Sequence, residues 1–132
     1  MKKSKRFEKM VKSAENLLKI TGASKHCRER DKETQKLIGD LYMVTERNAS
    51  TLKVGYTQDL SERMFAYTTH STVIQFIDVL HNKTVDDEKA FQQKLLDMGF
   101  KRFYEDEGCE WMIIPPNMRK DMIVRKGFKI FD

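Results

Sequence analysis

The chain has 132 residues, 39% of them hydrophobic and 34% charged, which suits one globular domain with its own core and excludes a disordered or low-complexity segment. No apolar run approaches a membrane span, and the basic start leads into an amphipathic stretch rather than the apolar core of a secretory signal, so no membrane partner is expected. The net charge of +5 is unevenly spread: residues 1–39 hold 12 Lys/Arg against 5 Asp/Glu and residues 40–132 hold 13 against 15, so the attraction for polyanions is concentrated before Asp40.

Residues 4–21 read as an amphipathic helix, with Phe7, Met10, Val11, Ala14, Leu17 and Leu18 on one face and Gly22 as its stop. Lys2, Lys3, Lys5, Arg6, Lys9 and Lys12 give this segment a cationic side suited to nucleic acid. Residues 25–38 are predicted to form a second short helix closing at Gly39. The chain thus divides into a basic helical extension, 1–38, and a domain, 39–132. The apolar face of the extension is expected to pack on the body of the domain; a twin in a homodimer and a host protein are the other partners open to it.

Residues 40–46 and 51–57 are β-rich and are separated by Asn48-Ala49-Ser50, the pattern of an antiparallel hairpin. Asp59 is placed to cap a helix running to about Tyr67. Residues 72–80 read as a central strand. Thr84 opens a longer helix to about Met98, with Asp86, Asp87 and Glu88 in the acidic first turn that the helix dipole favours. Gly99 ends it. Phe103-Tyr104 and Trp111 to Ile114 are short β segments. Pro115-Pro116 breaks the chain, and Asn117 is placed to cap a short C-terminal helix.

Two charges interrupt apolar stripes. Arg63 lies three residues after Leu60 and four before Tyr67, on the side that carries Met64. A guanidinium there requires an anion, and its planar fork fits phosphate. Glu88 heads the stripe Phe91, Leu95 and Met98, where a carboxylate requires a cation, whether a basic side chain or a metal. Each also has a purely structural reading, as a rim-seeking arginine and as a glutamate at a helix N-terminus. The histidines, His26, His70 and His81, lack the spacing of a zinc site. The two cysteines, Cys27 and Cys109, form no CxxC pair, which favours a reducing, cytoplasmic setting over a disulfide scaffold.

The order of motifs resembles the GIY-YIG nuclease superfamily, in a phage-like branch with lysine at the second-motif tyrosine. Gly39-Asp40-Leu41-Tyr42 matches the first motif as G-x-x-Y, and Lys53-Val54-Gly55-Tyr56-Thr57 matches the second. Arg63, eight residues beyond Gly55, falls on the family arginine, Glu88 on the family's metal-binding glutamate, and Glu110-Trp111 on a Glu-Trp-Phe ending. The likeness spans about residues 39–114 and marks Gly39, Gly55 and Trp111 as structural positions.

The resemblance implies an α+β domain with a small three-stranded antiparallel sheet flanked by helices. It also implies a Mg²⁺- or Mn²⁺-dependent DNA endonuclease, acting inside a bacterial host if phage-encoded. Carried over, Tyr42 or Tyr56 acts on water, Arg63 compensates phosphate charge and Glu88 holds the metal. Lys53 lowers a neighbouring tyrosine's pKa or contacts phosphate. The chain departs from the family at Lys53, and where some members have a histidine shortly after the arginine it has Tyr67. Two other functions stay open: a nucleic-acid-binding module without chemistry, and a regulator that binds a host protein.

Overall fold

The computed structural model describes residues 25–26, 28–46, 50–70, 74–102 and 110–132. Within them the strands are β1 (Gly39–Glu46), β2 (Thr51–Thr57), β3 (Ile74–Lys83), β4 (Lys101–Arg102) and β5 (Trp111–Ile113). The helices are α1 (Leu60–His70), α2 (Val85–Asp97) and α3 (Lys120–Lys126), and a 3₁₀ turn, Gly127–Phe131, follows. The strands form one antiparallel sheet in the order β3-β1-β2-β5-β4.

The expected three-stranded sheet is therefore corrected to five strands within the α+β class. β3, β1 and β2 make the expected core. The addition comes from β5, which zips onto the outer edge of β2 by pairing Thr51 with Ile113, Leu52 with Met112 and Lys53 with Trp111. β4 then pairs with β5. An edge strand leaves a row of unpaired amides and carbonyls, and β5 takes up the first half of the β2 edge.

Strand β1 is buried on both sides because both faces of the sheet are covered. Leu41 and Met43 face a core completed by Leu95 of α2 and Ile123 of α3, whereas Tyr42 and Val44 face Leu60 and Met64 of α1. Leu60 and Met64 are 0% and 1% exposed, so truncating either to alanine costs about 2–5 kcal/mol. α1 is thereby fixed over the hairpin. Its N-terminus is capped as expected, with Asp59 Oδ1 accepting from the Glu62 amide at 3.1 Å. Thr84 opens α2 with a reciprocal capping box in which Asp87 Oδ2 accepts from the Thr84 amide at 2.8 Å.

Three further expectations change. Strand 74–83 lies at an edge rather than at the centre of the sheet. Its buried Ile74, Phe76 and Val79 pack with Leu60 and Met64 of α1, and the 3₁₀ turn lies on its other face, where the Phe128 amide donates to Asp78 Oδ2 at 2.9 Å. The described residues between 25 and 38 do not form a helix. They double back, with Arg30 bridged to Leu37, and Asp31 Oδ1 accepts from the Glu33 and Thr34 amides at 2.9 Å each. A side chain that captures local amides in this way competes with helix formation. The C-terminal helix starts at Lys120 with Arg119, not Asn117, at the N-cap.

The 28–38 segment is tied to the hairpin's end. Tyr56 Oη donates to the Leu37 carbonyl at 3.1 Å, and Gln58 Nε2 donates to the Ile38 carbonyl at 3.2 Å. Lys36 pairs with Asp86 at the start of α2. The expected 4–21 helix, with Lys2, Lys3, Lys5, Arg6, Lys9 and Lys12, lies outside the described residues, as do Phe103-Tyr104, Cys27 and Cys109. Among the described residues no helix is long and apolar enough to cross a membrane.

Candidate active site

The site starts from a glycine. Tyr42 of β1 stands opposite Gly55 of β2. A Cβ on Gly55 would lie 2.3 Å from both Cζ and Oη of Tyr42. Only a residue without a side chain lets the phenol lie across the second strand. Gly39 does the same on the other face, where a Cβ would lie 2.6 Å from the Tyr56 ring. The two motif glycines thus each accommodate one motif tyrosine.

Tyr42 is 2% exposed, and its hydroxyl is 3.3 Å from that of Tyr67 on α1. The two rings meet edge to face with centroids 5.8 Å apart. Lys53, two residues before Gly55 and on the same face, donates to Tyr67 Oη at 2.7 Å. Its ammonium also pairs with Glu110 Oε2 at 3.1 Å. Trp111, the cross-strand neighbour of Lys53, packs on the cluster that contains Tyr42.

These contacts set the protonation states. Burial pushes the Tyr42 phenol well above its ordinary value, and Tyr67 and Glu110 push the same way against the pull of Arg63. Tyr42 is therefore a neutral hydroxyl at physiological pH. Burial draws the Lys53 ammonium down, but its hydrogen bond to Tyr67 and the charges of Tyr67 and Glu110 outweigh this and leave it above its ordinary value. The expectation that Lys53 lowers the pKa of a neighbouring tyrosine is not met at Tyr42.

Arg63 is exposed, which corrects the expectation that it faces the core. Leu60 and Met64 alone make the buried stripe at that end of α1, and Arg63 stands on its flank. Its charge still reaches Tyr42. This places a solvated cation beside a buried phenol.

Glu88 and Gln92, one turn apart on α2, meet β2 where β5 has stopped. Gln92 Nε2 donates to the Val54 carbonyl at 3.2 Å and to Glu88 Oε1 at 3.3 Å, and the Tyr56 amide donates to the Glu88 carboxylate. These side chains satisfy the half of the β2 edge that β5 leaves open. Burial raises the Glu88 pKa first, and the charge of Glu110 second; Gln92, Lys53 and the Tyr56 amide oppose them. Two carboxylates are thus close enough to feel each other. Among the described residues no group of three or more His, Cys, Asp or Glu side chains is arranged to hold a metal.

Tyr42, Lys53, Arg63 and Glu88 are accordingly within one electrostatic neighbourhood. The Tyr56 side chain lies on the face opposite Tyr42, with its hydroxyl given to the Leu37 carbonyl, and meets this neighbourhood only through Glu88. Burial, Asp40 and Glu88 raise its pKa. Sequence reasoning did not assign roles to Tyr67, Glu110 or Gln92. The signal for Tyr67 and Gln92 was their position one helical turn after Arg63 and Glu88.

A second polar cluster brings two of the three histidines together around Asp40. Asp40 is fully buried, and its Oδ1 lies 3.0 Å from His26 Nε2 and 3.0 Å from His81 Nδ1. His26 Nδ1 is also 3.2 Å from Glu29 Oε2. Neutral imidazole has one N–H, so a histidine with a carboxylate at each nitrogen is held as the cation. Burial lowers the His26 pKa, and the two carboxylates outweigh it to leave a raised value.

Compared with protein-family models, with curated proteins and with solved structures, the chain matches none.

Proposed function

We propose that this chain is a divalent-metal-assisted DNA endonuclease that hydrolyses phosphodiester bonds. One observation carries the reading. A neutral tyrosine, a lysine, a solvated arginine and a partly buried carboxylate, drawn from two strands and two helices, gather around the middle of β2. Their motif order, with its resemblance to GIY-YIG nucleases, supplies DNA as the substrate.

The residues fit a hard cation. Glu88 ionises against burial and against the charge of Glu110, and the nearby Lys53 ammonium is already paired with Glu110, so Glu88 keeps a raised pKa that a cation beside it would relieve. Mg²⁺ takes one or two carboxylates and keeps several waters, so Glu88 would hold it, with substrate phosphate completing the shell. When bound, such an ion supplies charge at the phosphate oxygens. The remaining work falls to side chains. Arg63 presents a planar fork to a non-bridging phosphate oxygen. Tyr42, kept protonated, donates a hydrogen bond that orients water or phosphate and does not act as a phenolate base. Lys53 adds a fixed positive charge behind the phenols.

The test is hydrolysis of plasmid DNA with Mg²⁺ or Mn²⁺, with Arg63→Ala and Glu88→Ala as controls. Cleavage by the unaltered chain that both substitutions abolish is expected. DNA binding without cutting in either metal would overturn the reading. It would favour a nucleic-acid-binding module without chemistry, to which one observation lends weight: Glu88 already has a structural task at the β2 edge.

A further inference from the structure

Lys53 has no acceptor, so its bond to Tyr67 has a fixed direction: the ammonium donates and the Tyr67 oxygen accepts. A phenol that accepts from a cation becomes a better donor, and the next oxygen in reach is that of Tyr42, at 3.3 Å. Either hydroxyl can donate across that gap; with Tyr67 as the donor the chain of bonds runs from Lys53 through Tyr67 to Tyr42, and the Tyr42 proton is left for a ligand. What keeps the ammonium at the head of this chain is the carboxylate on its other side. The Lys53 side chain is 14% exposed and lies 5.4 Å from the Tyr67 ring centroid and 5.9 Å from that of Tyr42. An ammonium so far removed from water needs an anion to stay charged and in place. Glu110 is that anion, at 3.1 Å.

The geometry points to Glu110 as a positioning residue that clamps the Lys53 ammonium onto Tyr67, so that the Tyr42 hydroxyl presents its proton to the phosphate or to the attacking water. The catalytic half of this inference rests on the endonuclease reading; the clamp itself does not. Glu110 is itself 43% exposed, so neutralising it lets water reach the ammonium in its place and costs little stability, about 0–1 kcal/mol, while Lys53 loses the anchor that holds it on Tyr67. Two effects converge on the same result. Glu110 holds the donor that polarises Tyr67, and its charge helps keep Tyr42 protonated.

The experiment compares the full chain with Glu110→Gln and Glu110→Asp. The first readout is the Lys53 ammonium resonance by nitrogen-detected NMR, assigned with Lys53→Arg, since protons held by two acceptors exchange slowly. The second is the split of plasmid cleavage into kcat and KM. The resonance is expected in the unaltered chain and lost to fast exchange in Glu110→Gln. That variant should keep its melting temperature and its KM while kcat falls by about 10- to 100-fold, the usual cost of removing a group that orients a functional side chain. Glu110→Asp should restore part of both signals. A protected ammonium in Glu110→Gln would overturn the clamp. A lost ammonium signal with full kcat would overturn its catalytic consequence. If the unaltered chain cuts no DNA, the endonuclease reading fails by itself, and the resonance still decides the clamp.

Discussion

The Tyr42 ring lies directly over the α-carbon of Gly55, so closely that a methyl group there would sit 2.3 Å from the phenol oxygen. The tyrosine's place in the site is thus set by what its cross-strand partner lacks. Gly55→Ala is expected to push the ring out of its slot, at a cost of about 1–3 kcal/mol for overpacking, and to abolish cleavage. Tyr42→Phe keeps the ring and loses only the hydroxyl, so it should cost about 0.5–1.5 kcal/mol while lowering activity strongly. Urea unfolding of both variants separates the two effects. A Gly55→Ala protein as stable and active as the parent would show that the close approach is dispensable.

Glu88 ionises against burial and against Glu110, so its folded pKa stands above the unfolded value. The folded chain therefore holds this proton to higher pH than the unfolded chain does. Stability from this group falls as pH rises from the ordinary glutamate value through the folded one, and stays reduced above it. Glu88→Gln keeps an acceptor for the Tyr56 amide and removes the charge. It should melt at the same temperature as the parent near pH 4, melt higher at pH 7, and cut nothing. Mg²⁺ should raise the melting temperature of the parent and leave the variant unmoved; equal stabilisation of both would remove Glu88 from the metal site.

His26 behaves with the opposite sign. Its folded pKa is raised, so its contribution is complete below the ordinary histidine value and fades as pH climbs through the folded value. His26→Ala should therefore cost about 1.5–3 kcal/mol at pH 5.5, as expected for hydrogen bonds to charged groups, and clearly less at pH 9. Unfolding curves at the two pH values check this. An identical loss at both would mean that the cation between Asp40 and Glu29 is not what holds the 25–38 segment.

Arg63 is solvated on the flank of α1, so its removal should leave stability within about 0.5 kcal/mol of the parent. Activity should nevertheless disappear in Arg63→Ala. It should recover poorly in Arg63→Lys, because a point charge does not reproduce a two-pronged grip on phosphate. Full rescue by lysine would reduce the role of Arg63 to general electrostatics.

Much of the scaffold was legible because it is encoded by local chemistry. The hairpin, the Asp59 cap and the Thr84 start of α2 each rest on a few neighbouring residues. The joining of β5 to β2 was not legible, since it depends on which edge a three-residue strand finds across more than fifty positions of sequence. The same holds for Asp40, whose two histidine neighbours come from 14 residues before it and 41 after. Arg63 was misplaced for another reason. Helical spacing assigns a side of the cylinder, but the width of the buried stripe depends on how deeply α1 settles on the sheet, and among its described side chains only Leu60 and Met64 are fully buried. Glu88 was rightly singled out as anomalous, yet its bond to an open strand edge had no counterpart in the local sequence.

Strand β2 changes neighbours halfway along, from the backbone of β5 to the side chains of α2. That changeover is where Glu110 and Glu88 arrive from opposite directions. Spacing between these acids is consequently a matter of sheet alignment. A deletion or insertion that shifted Trp111 by one place against Lys53 would turn every β5 side chain over and carry Glu110 away with them. Length changes near this junction should thus be far less forgiving than point substitutions on the surrounding surface.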